Sequence, residues 1–158
     1  MLSPVIAGAI QSFARPWITV RCSMAERNPL VEEWIAKAEG DWDWTEVDLS
    51  LISPRMRDGY VYHLQQCVEK LIKARLLQLG QTFKKTHDLV ALSRSLQQLD
   101  PGWSWGEDEL EDLTVSGVMN RYPGFDTSTE ELLELKEMAS LLRQALLLRL
   151  GSNPRELP

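Results

Sequence analysis

The side chains equipped for chemistry fall in three short stretches. His63 is one of two histidines in the chain, and an imidazole titrates close enough to neutrality to act as a general acid or base. His63, Gln66, Lys70 and Lys73 recur at helical spacing, so one helix face carries an imidazole, an amide and two ammonium groups. Lysines on mobile stems suit a phosphate. The competing reading is a solvated face on which Glu69 and Lys73 form an ordinary i,i+4 helix pair. His87-Asp88 stands at a helix start, where free N–H groups favour an anion. Capping by Thr86 and Asp88 accounts for the same residues, and a carboxylate at Asp88 would repel a phosphate. Arg121-Tyr122-Pro123-Gly124 is the non-helical candidate. Its guanidinium offers a planar fork to phosphate and its phenol a stacking face, against the alternative of a rigid turn with Tyr122 packed inward.

Other residues weigh against other chemistries. Cys22 and Cys67 are far apart, with no paired-cysteine motif, so neither a disulfide framework nor a metal centre is expected. No cofactor is implied. The net charge of -6 argues against a broad nucleic-acid surface, which needs clustered cations. Glu107, Asp108, Glu109, Glu111 and Asp112 form an acidic run, read as a solvated face or a surface for a basic partner. Trp17, Trp34, Trp42, Trp44, Trp103 and Trp105 are expected mostly in the core or at an interface.

The elements that position these residues are helical throughout. With 158 residues, 44% hydrophobic and 25% charged, the chain suits one domain with a real core. The spacing predicts helix 1 over about 30–49, started by Asn28-Pro29 and ended by Ser53-Pro54. Helix 2 is predicted over about 57–79 with a wide apolar face and a stop at Gly80, which makes it central. Helix 3 follows a Thr86 cap. Helix 4 starts from a capping box of Ser104 with Glu107 and ends near Asn120. Helix 5 starts from a second box, Ser128 with Glu131, and runs to about Leu150, with Gly151 as its stop. The fold class is therefore all-α, an up-and-down antiparallel bundle of about five helices. Helix 5 is apolar on two adjacent rows, which suggests that part of it packs against a second subunit.

No apolar run reaches the length of a membrane span, and a cytoplasmic setting is expected. Met24-Ala25-Glu26-Arg27-Asn28-Pro29 reads like a natural start, so residues 1–27 are expected to be an N-terminal tail, with 1–23 either a mis-assigned upstream start or a loose tail. The bundle is assigned to 28–151 and a C-terminal tail to 152–158.

Three segments resemble one family. Tyr62-His63-Leu64-Gln65-Gln66-Cys67-Val68-Glu69-Lys70-Leu71-Ile72-Lys73-Ala74 is similar to the second-helix signature of HEPN domains (higher eukaryotes and prokaryotes nucleotide-binding). Lys85-Thr86-His87-Asp88-Leu89 is similar to the start of that family's third helix, and Arg121-Tyr122-Pro123 to its element after the fourth. The three matches occur in order across about residues 30–150. The resemblance implies a helical bundle that forms a homodimer. It also implies a small minimal-type nucleotidyltransferase as partner, in a toxin–antitoxin or stress module. For activity it implies nucleotide binding, with His63, Gln66, Lys70, Lys73, Arg121 and Tyr122 as ligand residues, or metal-independent ribonuclease action. The ribonuclease branch carries an Arg-x4-6-His motif late in its bundle. Here Arg57 and His63 fit that spacing but stand at the start of helix 2, and no histidine follows Arg121. The binding module is the preferred reading, and a ribonuclease toxin acting on RNA through Arg57 and His63 is the alternative.

Overall fold

A computed structural model describes residues 28–83 and 85–152. The expectations about residues 1–27, including Trp17 and Cys22, and about residues 153–158 lie outside the described residues. Five α-helices occur among the described residues: α1 (Pro29–Asp43), α2 (Pro54–Gln78), α3 (Leu89–Leu99), α4 (Glu107–Met119) and α5 (Thr129–Leu150). A 3-10 turn, Leu49–Leu51, sits in the first link. The described residues form no strand.

The sequence makes α2 the axis. Two rows of apolar residues leave only a narrow polar strip, so α2 packs against all four other helices. Leu64, Leu71, Ile72 and Leu76 are fully buried, each contributing roughly 1.5–3 kcal/mol. Schellman geometry ends α2: Gly80 takes φ 78°, and the N–H groups of Gly80 and Gln81 return to the carbonyls of Leu77 and Leu76 at 3.0 and 2.9 Å. A left-handed residue is cheapest as glycine. Gly117 serves α4 differently. A Cβ there would lie 2.5 Å from the Gln65 Cβ, so a side chain larger than hydrogen would push α4 off α2.

α5 keeps Leu132, Leu135, Ala139, Leu142 and Leu146 in the core. Its second row is split, with Met138 and Ala145 partly buried against the core and Leu141 and Leu148 exposed. Ser128 and Glu131 form the predicted reciprocal capping box.

Four boundaries differ from the sequence reading. Helix 1 stops at Asp43 rather than near 49 because its next carbonyls are claimed from elsewhere. The Thr45 hydroxyl donates to the Trp42 carbonyl at 2.7 Å, while Tyr60 Oη and Lys136 Nζ donate to the Thr45 carbonyl at 2.8 and 3.0 Å. Ser53-Pro54 opens α2 instead of merely closing the element before it, since proline at the first helical position loses no hydrogen bond. Ser104 does not cap α4, which begins behind Gly106; the Glu107 carboxylate instead grips Arg94 of α3 through two 2.6 Å hydrogen bonds. Asp88 rather than Thr86 caps α3, accepting from the Ala91 N–H at 3.0 Å. Thr86 braces the same turn by accepting from the Asp88 N–H at 3.1 Å.

Candidate functional site

The polar strip of α2 divides into two clusters, each built on a carboxylate, a lysine and a histidine. The inner cluster centres on Glu69. Its Oε1 accepts from Lys73 Nζ at 2.7 Å. Its Oε2 accepts from Gln65 Nε2 at 2.9 Å, from Gln66 Nε2 at 3.3 Å and from His87 Nδ1 at 3.0 Å. Lys73 also donates to the Thr86 carbonyl at 3.0 Å and lies 5.7 and 5.3 Å from the Trp34 and Phe83 rings. Gln65 Nε2 reaches the His87 carbonyl at 3.1 Å. The cluster thus pins the link after α2 back onto the helix. Burial pushes the Glu69 carboxyl up, yet hydrogen bonds from Lys73, Gln65 and His87 outweigh it and hold the group below the usual glutamate value.

The outer cluster centres on Asp41, reached from α1. Asp41 Oδ1 lies 2.9 Å from His63 Nδ1, and Oδ2 accepts from Lys70 Nζ. An ionised carboxylate only accepts, so Nδ1 of His63 carries the hydrogen and Nε2 is the nitrogen left for a ligand. The imidazole stacks on Trp44 with centroids 5.6 Å apart and planes 13° apart, and meets the edge of Tyr62 at 5.4 Å. The Arg121 guanidinium lies 4.9 Å from the Tyr62 ring centroid. Trp44, His63, Tyr62 and Arg121 therefore make one continuous row from the end of α1, across α2, to the link between α4 and α5. Among the described residues Arg121 forms no ion pair. Trp44 is 70% exposed and Tyr122 57%.

The six residues expected at a ligand separate accordingly. His63 and Lys70 share Asp41 and remain partly open; Arg121, against Tyr62, and Tyr122, next to it in the chain, are exposed. Gln66 and Lys73 are buried, at 8% and 6% exposure, with both Gln66 amide hydrogens and the Lys73 ammonium engaged inside the inner cluster. A buried cation with a carboxylate partner is already satisfied, so these two brace the strip from inside while the other four stay open.

The alternative catalytic pair is not brought together. Arg57 donates to the Thr127 carbonyl at 3.0 Å and to Thr129 Oγ1 at 2.9 Å, tying α2 to the start of α5, whereas His63 faces α1. Asp41 and Trp44 were missed as site residues. Their only sequence signal was a place on the last turn of a helix expected to run longer. Among the described residues no group of His, Cys, Asp or Glu is arranged to hold a metal.

A five-helix bundle around one central helix, with a histidine-bearing polar strip on that helix and an arginine turn after the fourth, defines a small all-α binding-domain architecture. The family model of the HEPN domain matches residues 31–150, and the chain belongs to that family. Membership makes it a module of the nucleotide- and RNA-related kind, in a family whose domains commonly dimerise. No curated protein and no solved structure matches the chain significantly. No helix among the described residues is long and apolar enough to cross a membrane.

Proposed function

We propose that this HEPN domain is a cytoplasmic binding module whose outer row takes a nucleotide. In that reading it works as a homodimer, partnered with a minimal nucleotidyltransferase in a toxin–antitoxin or stress module. The observation that carries the binding claim is the Arg121 guanidinium, held over the Tyr62 ring and free of any carboxylate among the described residues. A cation–ring contact leaves the N–H donors of the fork for phosphate oxygens. Trp44 and Tyr122 offer exposed aromatic faces for a base, and Nε2 of His63 offers a hydrogen-bonding partner. Lys70 contributes positive potential while anchored on Asp41. Calorimetry with ATP, on the wild type and on Arg121→Ala, tests this. Saturable heat for the wild type and at least about tenfold weaker binding for the variant are expected; no heat at about millimolar ATP removes the nucleotide claim.

A second reading, ribonuclease action, draws on one specific feature. A carboxylate that orients an imidazole through Nδ1 leaves Nε2 poised for proton transfer. Metal-free RNA cleavage that vanishes in His63→Ala would favour it over the binding module.

A further inference from the structure

α4 and α5 share the slightest contact of the packed helix pairs and leave between them an open cleft of about 450 Å³. Its apolar lining is Val115 of α4 with Leu135 and Met138 of α5. Asp112, Asp126 and Glu134 line it too, and no lysine or arginine does, although Arg57 reaches the Thr127 carbonyl at one end at 3.0 Å. α4 itself carries no basic residue along its whole length.

Part of this negative charge has a local cause. Glutamates and aspartates in the first turns of α4 and α5 meet the positive end of each helix, and Glu131 accepts from the Ser128 N–H at 2.7 Å. Asp112 and Glu134 lie beyond those turns, and Asp126 lies in the link. Among the described residues none of the three side chains has a hydrogen bond or ion pair. Asp112 stands four residues from Asp108, and Glu134 four from Glu130, spacings at which like charges destabilise a helix. Unpaired carboxylates along both sides of an apolar strip cost stability in the free protein, and a cationic occupant offsets that cost. The lining positions recur three and four residues apart on both helices, so the strip runs along the helix axes, a shape matched by another helix.

We infer that the α4–α5 groove docks a basic amphipathic helix of a partner protein. Its apolar face lies on Val115, Leu135 and Met138, and its lysines or arginines face Asp112, Asp126 and Glu134. The groove shares no residue with the outer row, so it stands or falls independently of nucleotide binding.

The test uses the full chain and a fluorescent peptide of about 14 residues, roughly four helical turns, with leucines along one face and lysines flanking them. A control peptide keeps the composition in shuffled order. Anisotropy should give saturable binding of the amphipathic peptide, weakening as salt rises from about 50 to about 300 mM. The shuffled peptide should bind about tenfold more weakly. The double variant Asp112→Lys, Glu134→Lys should lose about tenfold or more, with a circular-dichroism melt no lower than the wild type's as the folding check. Leu133→Lys, exposed on α5 but outside the groove, should bind as the wild type does. Equal binding of the shuffled peptide, or full retention by the double variant, overturns the inference. So does a wild-type dimer that the double variant splits, since the groove would then belong to a second copy.

Discussion

Glu69 and Asp41 anchor clusters of the same composition on the same side of α2, and the contrast between them separates structure from function. Each carboxylate holds one lysine and one histidine of this chain. Glu69 gathers four side-chain donors and is 4% exposed, with Lys73 at 7%, and only its His87 partner, 70% exposed, reaches the surface. Asp41 gathers two, and its partners His63 and Lys70 stay 28% and 22% open. The buried core of the inner cluster, Glu69 with Lys73 and Gln66, has no valence left for a ligand, and breaking it leaves a buried charge. A half-open one keeps a nitrogen on His63 and a cation at the surface. The same residue types thus do different work according to which neighbour covers them: the link after α2 in one case, the end of α1 in the other.

The largest expected break in this comparison is Lys73→Ala. It strands Glu69 in the interior, and the loss should be about 3 kcal/mol, the low end for a broken buried pair because Gln65, Gln66 and His87 still donate. Chemical denaturation measures it. The matching change in the outer cluster, Lys70→Ala, should cost under about 1 kcal/mol, as for other solvent-screened pairs.

Gly117→Ala probes the same inner layer from α4. Alanine gains roughly 0.5–1 kcal/mol of helix propensity over glycine. The new Cβ, however, meets the Gln65 side chain at 2.5 Å, and overpacking costs typically 1–3 kcal/mol. The clash should win, with a net loss of about 1 kcal/mol and a weaker Gln65–Glu69 contact, checked by thermal unfolding.

Acid sharpens the contrast further. The Glu69 carboxyl sits below its ordinary value of 4.5, so it contributes stability that is fully present above that value and is lost as pH falls through the lowered one. Asp100 and Glu131 are lowered too, by hydrogen bonds from Arg75 and Arg149 and from the Ser128 backbone that outweigh burial, so the whole protein weakens from about pH 5 downward. Glu69→Gln should be less stable at neutrality and show a flatter profile on acidification. A profile as steep as the wild type's would remove Glu69 from the network's charge balance.

Much of the architecture was legible because it depends on neighbours in sequence. The apolar rows of α2 and α5, the Ser128–Glu131 box, and the stops at Gly80 and Gly151 are local patterns with local causes. The end of helix 1 was not, since it is decided by Tyr60 and Lys136, 15 and 91 residues from Thr45. Lys136 also sets its ammonium 3.7 Å from the centroid of the Trp42 ring, a contact between α5 and α1 that no local pattern announces. The division of the α2 strip was hidden for the same reason. Helical spacing puts His63, Gln66, Lys70 and Lys73 on one face, but only the docking of Asp41 from α1 and of His87 from the α2–α3 link decides which of them are closed in.

The two histidines offer a direct reading of that division, one in each cluster. Imidazole resonances of the full chain, followed by NMR as ATP is added, should show His63 moving with saturation while His87 holds still. Movement of His87 alone, or of neither ring at saturating nucleotide, would contradict the assignment of the outer row as the working face.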